Sequence, residues 1–421
     1  SSSHFGSRSK SRRCGNAGLF MLRSCSAAVV FLLASAVPKT ILANDVEAQM
    51  HKLFDELEAD AVQEVKGKCK EGDIADLESY IDEHGMQPRD EVVCLRESVR
   101  AGHASVLKWL LDQGVGMTAK AKDGVQPIHN AARAGHLEIL SWLMQHGAKL
   151  KAKDNFGERA VHKAAFHGHV PVLEWLSEQG EDVSVRDMNG EQAFHKAASI
   201  RGHVPVLEWL LAHGGTVNVT DDAGQQPMHA AALAGHLPIL EWLRSHGAEL
   251  DTRDRSGEQP VHQASVGGHV DALSWLARSR AHLNIENGQG LEPIHIACHK
   301  GSADVISWLQ RNDADVNAPT NFGGPVHFAS AGGHVSALEL LLSLRADLSL
   351  EQGERYASHE AAFAGHVEVL AWLKKRGAAI LTPSEADAFG HAAVTDWLQN
   401  QTTPTRQNRR KRRRRQSGTE L

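Results

Sequence analysis

Along most of this chain the apolar residues gather in two short clusters that return at a fixed interval. One cluster carries a histidine, and its copies, His129, His162, His195, His229, His262, His295, His327 and His359, stand 32 to 34 residues apart. An interval of that size marks a stack of small supersecondary units and not a row of separate globular domains. In the copy from Gln126 to Ala134, Pro127 stands where a first helical turn begins, and Ala131 and Ala132 let a neighbouring backbone come close, which predicts a short helix. Gly135 ends that helix in the left-handed conformation. Residues 136–145 put Ile139, Leu140, Leu143 and the body of Trp142 on one stripe, which predicts a second helix with Gly147 as its cap. Tight turns at Lys122-Asp123-Gly124 and Asp154-Asn155 carry the chain to the next copy. One unit is therefore helix, turn, helix, hairpin loop.

Two further landmarks keep the same step. Gly-His follows the first histidine at 135/136, 168/169, 202/203, 235/236, 268/269, 333/334 and 365/366, and Gly301-Ser302 takes that place once. Tryptophan comes six residues later, so that all nine tryptophans share one repeat position and only Leu340 breaks the series. The pattern D-x-x-G-x-x-P-[IVM]-H-x-A-[AS]-x-x-G-H-x-x-[IV]-L-x-W-L-x-x-x-G-A resembles the ankyrin repeat over roughly residues 70 to 400. The resemblance implies an all-α solenoid of stacked helix-turn-helix units with hairpin loops. A single 33-residue hairpin cannot bury its apolar face alone, so each unit depends on its neighbours.

The chain departs from that family at two places. The family has Thr before the proline, where its hydroxyl caps the helix; here the residues are Gln126, Arg159, Gln192, Gln226, Gln259, Glu292, Gly324 and Tyr356. Losing that cap costs about 1 kcal/mol per unit unless something replaces it. Glycine at the second-helix cap (Gly114, Gly147, Gly180, Gly214, Gly247, Gly377) gives way to Arg280, Asp313 and Arg345, which makes residues 256 to 352 the expected soft part of the stack.

The ends differ from the body. Residues 45–66 form one apolar helical stripe, a predicted cover for the first face. Before it, residues 1–44 contain no Asp or Glu, and the apolar run Ser24 to Val37 has the length of a signal-peptide core and falls short of a membrane span. Small residues at Ala36 and Ala43 offer cleavage points. Secretory or organelle targeting by residues 21–43 weighs evenly against cytoplasm and nucleus. The net charge of -6 conceals an acidic body between basic ends. Organisation is expected as a leader (1–44), an N-terminal helical cap and degenerate repeat (45–88), an array of about nine units (89–382), capping helices (383–401) and a disordered basic tail (402–421). The tail run Arg409, Arg410, Lys411, Arg412, Arg413, Arg414, Arg415 has three open uses: an import signal, a phosphate-binding arm for nucleic acid or acidic lipid, or a solvated tail.

Chemistry is sparse. The five cysteines, Cys14, Cys25, Cys69, Cys94 and Cys298, are odd in number and lack Cys-x-x-Cys spacing, so neither a disulfide framework nor a zinc ribbon is expected; Cys69 and Cys94 alone are close enough to suspect as a pair. Most of the 26 histidines occupy repeat positions, where hydrogen bonding between loops accounts for them better than metal binding does. No nucleotide, nucleophile-elbow, zinc-protease or kinase motif is present, and a solenoid of about 330 residues leaves no room for an enzyme domain. No enzyme activity, cofactor or metal is expected, and a monomer is.

In proteins of this family the partner lies in the groove formed by first helices and hairpin tips. The positions that stop repeating there are the residue after the Pro-x-His histidine and the residue three further on. With Arg201 beside them, they supply a cationic first half, with Asn130, Arg133, Lys163, Phe166 and Lys196, and an apolar second half, with Leu233, Val266, Ile296, Phe328 and Phe363. The expected function is a scaffold or adaptor that binds one or more proteins in this groove; the alternative is a nucleic-acid or chromatin-associated factor that uses the basic tail.

Overall fold

A computed structural model describes residues 63–84, 88–199, 202–351 and 355–402 of the chain. All the regular elements among them are helices. The chain divides into two compact units, 1–155 and 156–421, and the same helical hairpin builds both. The leader, the basic tail and the part of the 45–66 stripe before residue 63 lie outside the described residues; a helix occupies 63–71.

The first helix of each hairpin starts where the proline pattern places it. Pro127–Ala134, Pro227–Ala234, Pro260–Gly267, Pro293–Lys300 and Pro325–Ala331 all carry proline in the first turn, where its missing N–H costs nothing. The residue before each helix is extended, and its backbone N–H donates to Nδ1 of the histidine three positions on. The distance is 3.0 Å from Gln126 to His129, 3.0 Å from Arg159 to His162 and 3.1 Å from Gln259 to His262. The imidazole thus supplies a bond at the very terminus where the family's threonine is missing. The one helix of the described residues with a Thr-Pro start, Pro383–Asp387, has the hydroxyl cap: Glu385 N–H donates to Thr382 Oγ1, and Thr382 N–H donates to the Glu385 carboxylate.

The same histidine rings also tie one hairpin to the next. Nε2 of His129 reaches Ala152 O at 3.0 Å, His229 reaches Glu258 O at 3.2 Å and His295 reaches Ala318 O at 2.9 Å. A ring that accepts at Nδ1 and donates at Nε2 is neutral and in a single tautomer. The Gly-His histidines make a second set of ties, His103 to Lys70 O at 2.8 Å and His334 to His299 O at 3.1 Å. Here glycine is required twice over. Gly301 has φ +70°, and a Cβ on it would lie 2.4 Å from the His334 ring.

The second helices carry the core. Leu137–Gln145 buries Ile139, Leu140 and Leu143, and Leu237–Ser245 buries Ile239, Leu240, Trp242 and Leu243. Two of the tryptophans donate their indole N–H to a carboxylate of the preceding hairpin: Trp109 Nε1 to Glu78 at 3.1 Å and Trp372 Nε1 to Glu339 at 3.2 Å. In the second unit consecutive first helices pack on one another from Ala160–His167 through Ala357–Phe363.

The cap after each second helix is left-handed, as the glycine pattern requires. Arg280 (φ 69°), Asp313 (φ 66°) and Arg345 (φ 67°) are the only non-glycine residues with positive φ among the described residues, and all three are exposed. The left-handed conformation costs a side-chain-bearing residue about 1–2 kcal/mol, whereas glycine gives back part of that gain as unfolded-chain entropy. Arg280→Gly and Arg345→Gly are each expected to stabilise the protein by about 0.5–1 kcal/mol, roughly 2 °C in Tm by scanning calorimetry. Asp313→Gly should gain less, because Asp tolerates this region better. A lowered Tm in either arginine variant would count against strain at these caps.

In the first unit Cys69, on the 63–71 helix, is bonded to Cys94 on helix Pro88–Ala101, across 25 residues of sequence. The pair that spacing alone could only single out is thus a disulfide, and the expectation that the chain carries no disulfide framework is corrected to one buried bridge.

Candidate partner-binding surface

The residues after the Pro-x-His histidines divide sharply in what they do. Lys163 pairs with Glu158, five residues earlier on the arm of the hairpin. Lys196 is enclosed: its Nζ lies 3.0 Å from Glu158, 2.8 Å from Asp187 and within ion-pair distance of Glu191. Burial works against the Lys196 charge, but the hydrogen bonds it donates to Asp187 and Glu191 outweigh that and raise the ammonium above its ordinary range. Glu158 feels the reverse balance: burial opposes its charge, and Lys163 with Lys196 still pulls it below the usual carboxylate value.

The same two positions are coupled elsewhere in the second unit. Gln263 Nε2 donates to Glu258 at 2.7 Å, and in the last hairpin the charges are exchanged, with Arg355 3.0 Å from Glu360. In two other hairpins both places are apolar or small, Leu291 with Ile296 and Gly323 with Phe328. This position is therefore a latch that fastens the hairpin arm to the first helix. Asn130 and Ile296 are buried, and Phe328 is half-buried against the His295 ring at 5.2 Å.

The residue three positions further faces outward. Arg133 is exposed in the first unit; in the second, Leu233 and Phe363 are exposed, while Phe166 and Val266 are half-exposed. Phe363 meets Phe389 edge to face at 5.6 Å. Arg201 lies outside the described residues, as do Arg409, Arg410, Lys411, Arg412, Arg413, Arg414 and Arg415.

Spacing did not single out the hairpin tips. Most tips are polar or small, such as Lys122-Asp123, Asp222-Ala223 and Arg255-Ser256, but Phe156, Met188 and Phe322 are large, apolar and exposed, Phe156 at 61% and Met188 at 70%. Phe156 and Met188 sit on consecutive tips joined by Met188 N–H to Phe156 O at 2.9 Å. Backbone bonds continue the row, from Asp222 N–H to Asn189 O and from Arg255 N–H to Ala223 O, each 2.9 Å. The signal was present as an apolar residue in a place that is otherwise polar.

Among the described residues no group of His, Cys, Asp and Glu is arranged to hold a metal, and no helix is long and apolar enough to cross a membrane. Burial lowers the pKa of His162, His195, His229, His295 and His327, and pushes His262 down to about 4. These rings are neutral struts.

Comparison with known proteins agrees with the geometry. No curated protein matches the chain. The family described as ankyrin repeats (3 copies) matches residues 95–187 and 294–384, and that described as ankyrin repeats (many copies) matches 194–244, 228–277 and 266–310. With helical hairpins, proline starts, left-handed caps and histidine ties all in the positions that these matches cover, the chain belongs to the ankyrin-repeat family.

Proposed function

We propose that the second unit holds a protein partner on the row of hairpin tips and the outward residues of the first helices, so that the chain acts as a scaffold or adaptor. Ankyrin repeats are in general protein–protein interaction modules. The observation that carries the finer reading is the exposure of Phe156 and Met188 on neighbouring, hydrogen-bonded tips. Large apolar side chains held on rigid backbone at a surface are the usual anchors of an interface, because they lose water on contact and little entropy. The lysines contribute differently from what their sequence positions suggest: Lys163 and Lys196 shape the surface by fastening its hairpins, and their charges are matched within the chain.

The test uses a protein captured from the native source by the full chain and then titrated against it. Replacing Phe156, Phe166 and Met188 together by Ala is expected to weaken binding by about 30-fold or more, the equivalent of one 2 kcal/mol anchor, with the melting curve unchanged. Removing residues 403–421 should leave the affinity as it is. Affinity kept by the triple variant and lost, with steep salt dependence, on removal of the tail would overturn the proposal in favour of a nucleic-acid-associated factor.

A further inference from the structure

We propose that Asn218 carries an N-linked glycan and that this chain matures in an oxidising, glycosylating compartment. Three observations meet here. The first is the Cys69–Cys94 bridge, whose two sulfurs are completely buried between helices of the first unit. Disulfides form and persist where the medium is oxidising and are rare where glutathione keeps thiols reduced. The second concerns the other cysteines. Cys298 is a buried free thiol, shielded from exchange with the bridge. Processing after Ala36 or Ala43, at the end of the apolar run Ser24 to Val37, would remove Cys14 and Cys25, so that every remaining cysteine is either bonded or buried.

The third is the acceptor itself. Asn218-Val219-Thr220 has the Asn-x-Thr form with no proline in the middle. Asn218 is exposed, on the turn that follows helix Val204–Ala212, and Val217 beside it is buried and anchors the turn. A glycan there displaces no core residue. The reaction joins Asn218 Nδ2 to the anomeric carbon of a lipid-pyrophosphate-linked oligosaccharide. The C–N bond forms as the bond from that carbon to the pyrophosphate oxygen breaks; the lipid pyrophosphate leaves with the electron pair and the amide gives up one proton. No oxidant is needed for this step. The bridge takes its oxidising equivalents separately, from the compartment's thiol–disulfide exchange, which leaves a partner dithiol reduced. The proposal is independent of which protein the second unit binds.

Two measurements test it. In protein from its native cells, enzymatic removal of N-glycans converts a glycosylated Asn to Asp, so the peptide containing residue 218 should show that mass change, and alkylation of the denatured, unreduced chain should label Cys298 and leave Cys69 and Cys94 unlabelled. In the full chain expressed in a eukaryotic cell, Asn218→Gln and, independently, Thr220→Ala should each abolish one glycosidase-sensitive mobility shift, while Asn400→Gln, at the chain's other Asn-x-Thr sequence (Asn400-Gln401-Thr402), should leave that shift in place. An unmodified residue 218, or a shift that survives both variants, overturns the glycan; Cys69 and Cys94 alkylated in the denatured, unreduced chain overturn the compartment on which it rests.

Discussion

Stability is expected to fall steeply as the pH is lowered from 7 to 5, with proton uptake on unfolding. Each Pro-x-His ring accepts a backbone N–H at Nδ1, so protonation would set two donors against each other in a buried site; Gln226 N–H to His229 Nδ1 is 3.0 Å and Glu292 N–H to His295 Nδ1 is 3.1 Å. The folded pKa values of His162, His195, His229, His262, His295 and His327 are all depressed, first by burial. A base depressed in the folded state leaves the unfolded chain holding more protons below the ordinary value of 6.5. The stability that these rings confer is therefore present above pH 6.5 and is lost as the pH falls toward about 4, the value reached by His262. His262 alone accounts for about 2 kcal/mol of loss at pH 5, and the other five rings act in the same direction.

Glu258, Glu292 and Glu360, whose burial raises their pKa values, work the other way, because acid relieves their buried charge. Their folded values stand above the ordinary carboxylate value of 4.5, so they offset part of the histidine loss over the lower end of the same window. Denaturant midpoints measured at half-unit steps, with proton uptake read by calorimetry in two buffers, check the result. His262→Asn should flatten the dependence. Equal stability at pH 7 and pH 5 would show that the rings tolerate charge where they sit.

Much of this is legible in the sequence, and for a physical reason. A left-handed cap is a demand on a single residue, so the places where glycine fails, Arg280, Asp313 and Arg345, could be named from the repeat alone and each has positive φ. The proline starts and the tryptophan position are also local demands repeated many times. The latch was not legible in that way. Lys163 and Lys196 stand where an ankyrin groove faces its partner, and a single repeat does not say that a carboxylate on the hairpin arm turns back to meet them. Only comparison between repeats does so: Glu with Lys twice, Glu with Gln, Arg with Glu, and Leu with Ile at the same two places. Exposure of Phe156 and Met188 depended likewise on where the tip points, which periodicity does not encode.

Lys196→Met is expected to destabilise the protein by about 3 kcal/mol, at the lower edge of the cost of breaking a buried ion pair, because the ammonium keeps a small exposure. What is left behind sets the size of the effect. The Asp187 carboxylate accepts backbone N–H groups of Asn189 and Glu191 at 2.9 Å on one oxygen, and Lys196 at 2.8 Å on the other. Its side chain is 1% exposed, so without the lysine a negative charge stays buried with one of its three partners gone, beside Glu158 and Glu191. Asp187→Asn placed in the Lys196→Met background should recover part of the loss, since it removes the stranded charge and keeps the acceptor oxygen for the backbone. Thermal melts of the two single variants and the double variant give the coupling directly. Binding supplies the contrast. Phe166→Ala should weaken partner capture with little change in melting, and Lys196→Met should lower the melting point while its folded fraction binds as the wild type does. A Lys196→Met protein that melts like the wild type and no longer binds would return the lysine to the interface and make its carboxylate neighbours a resting arrangement that the partner displaces.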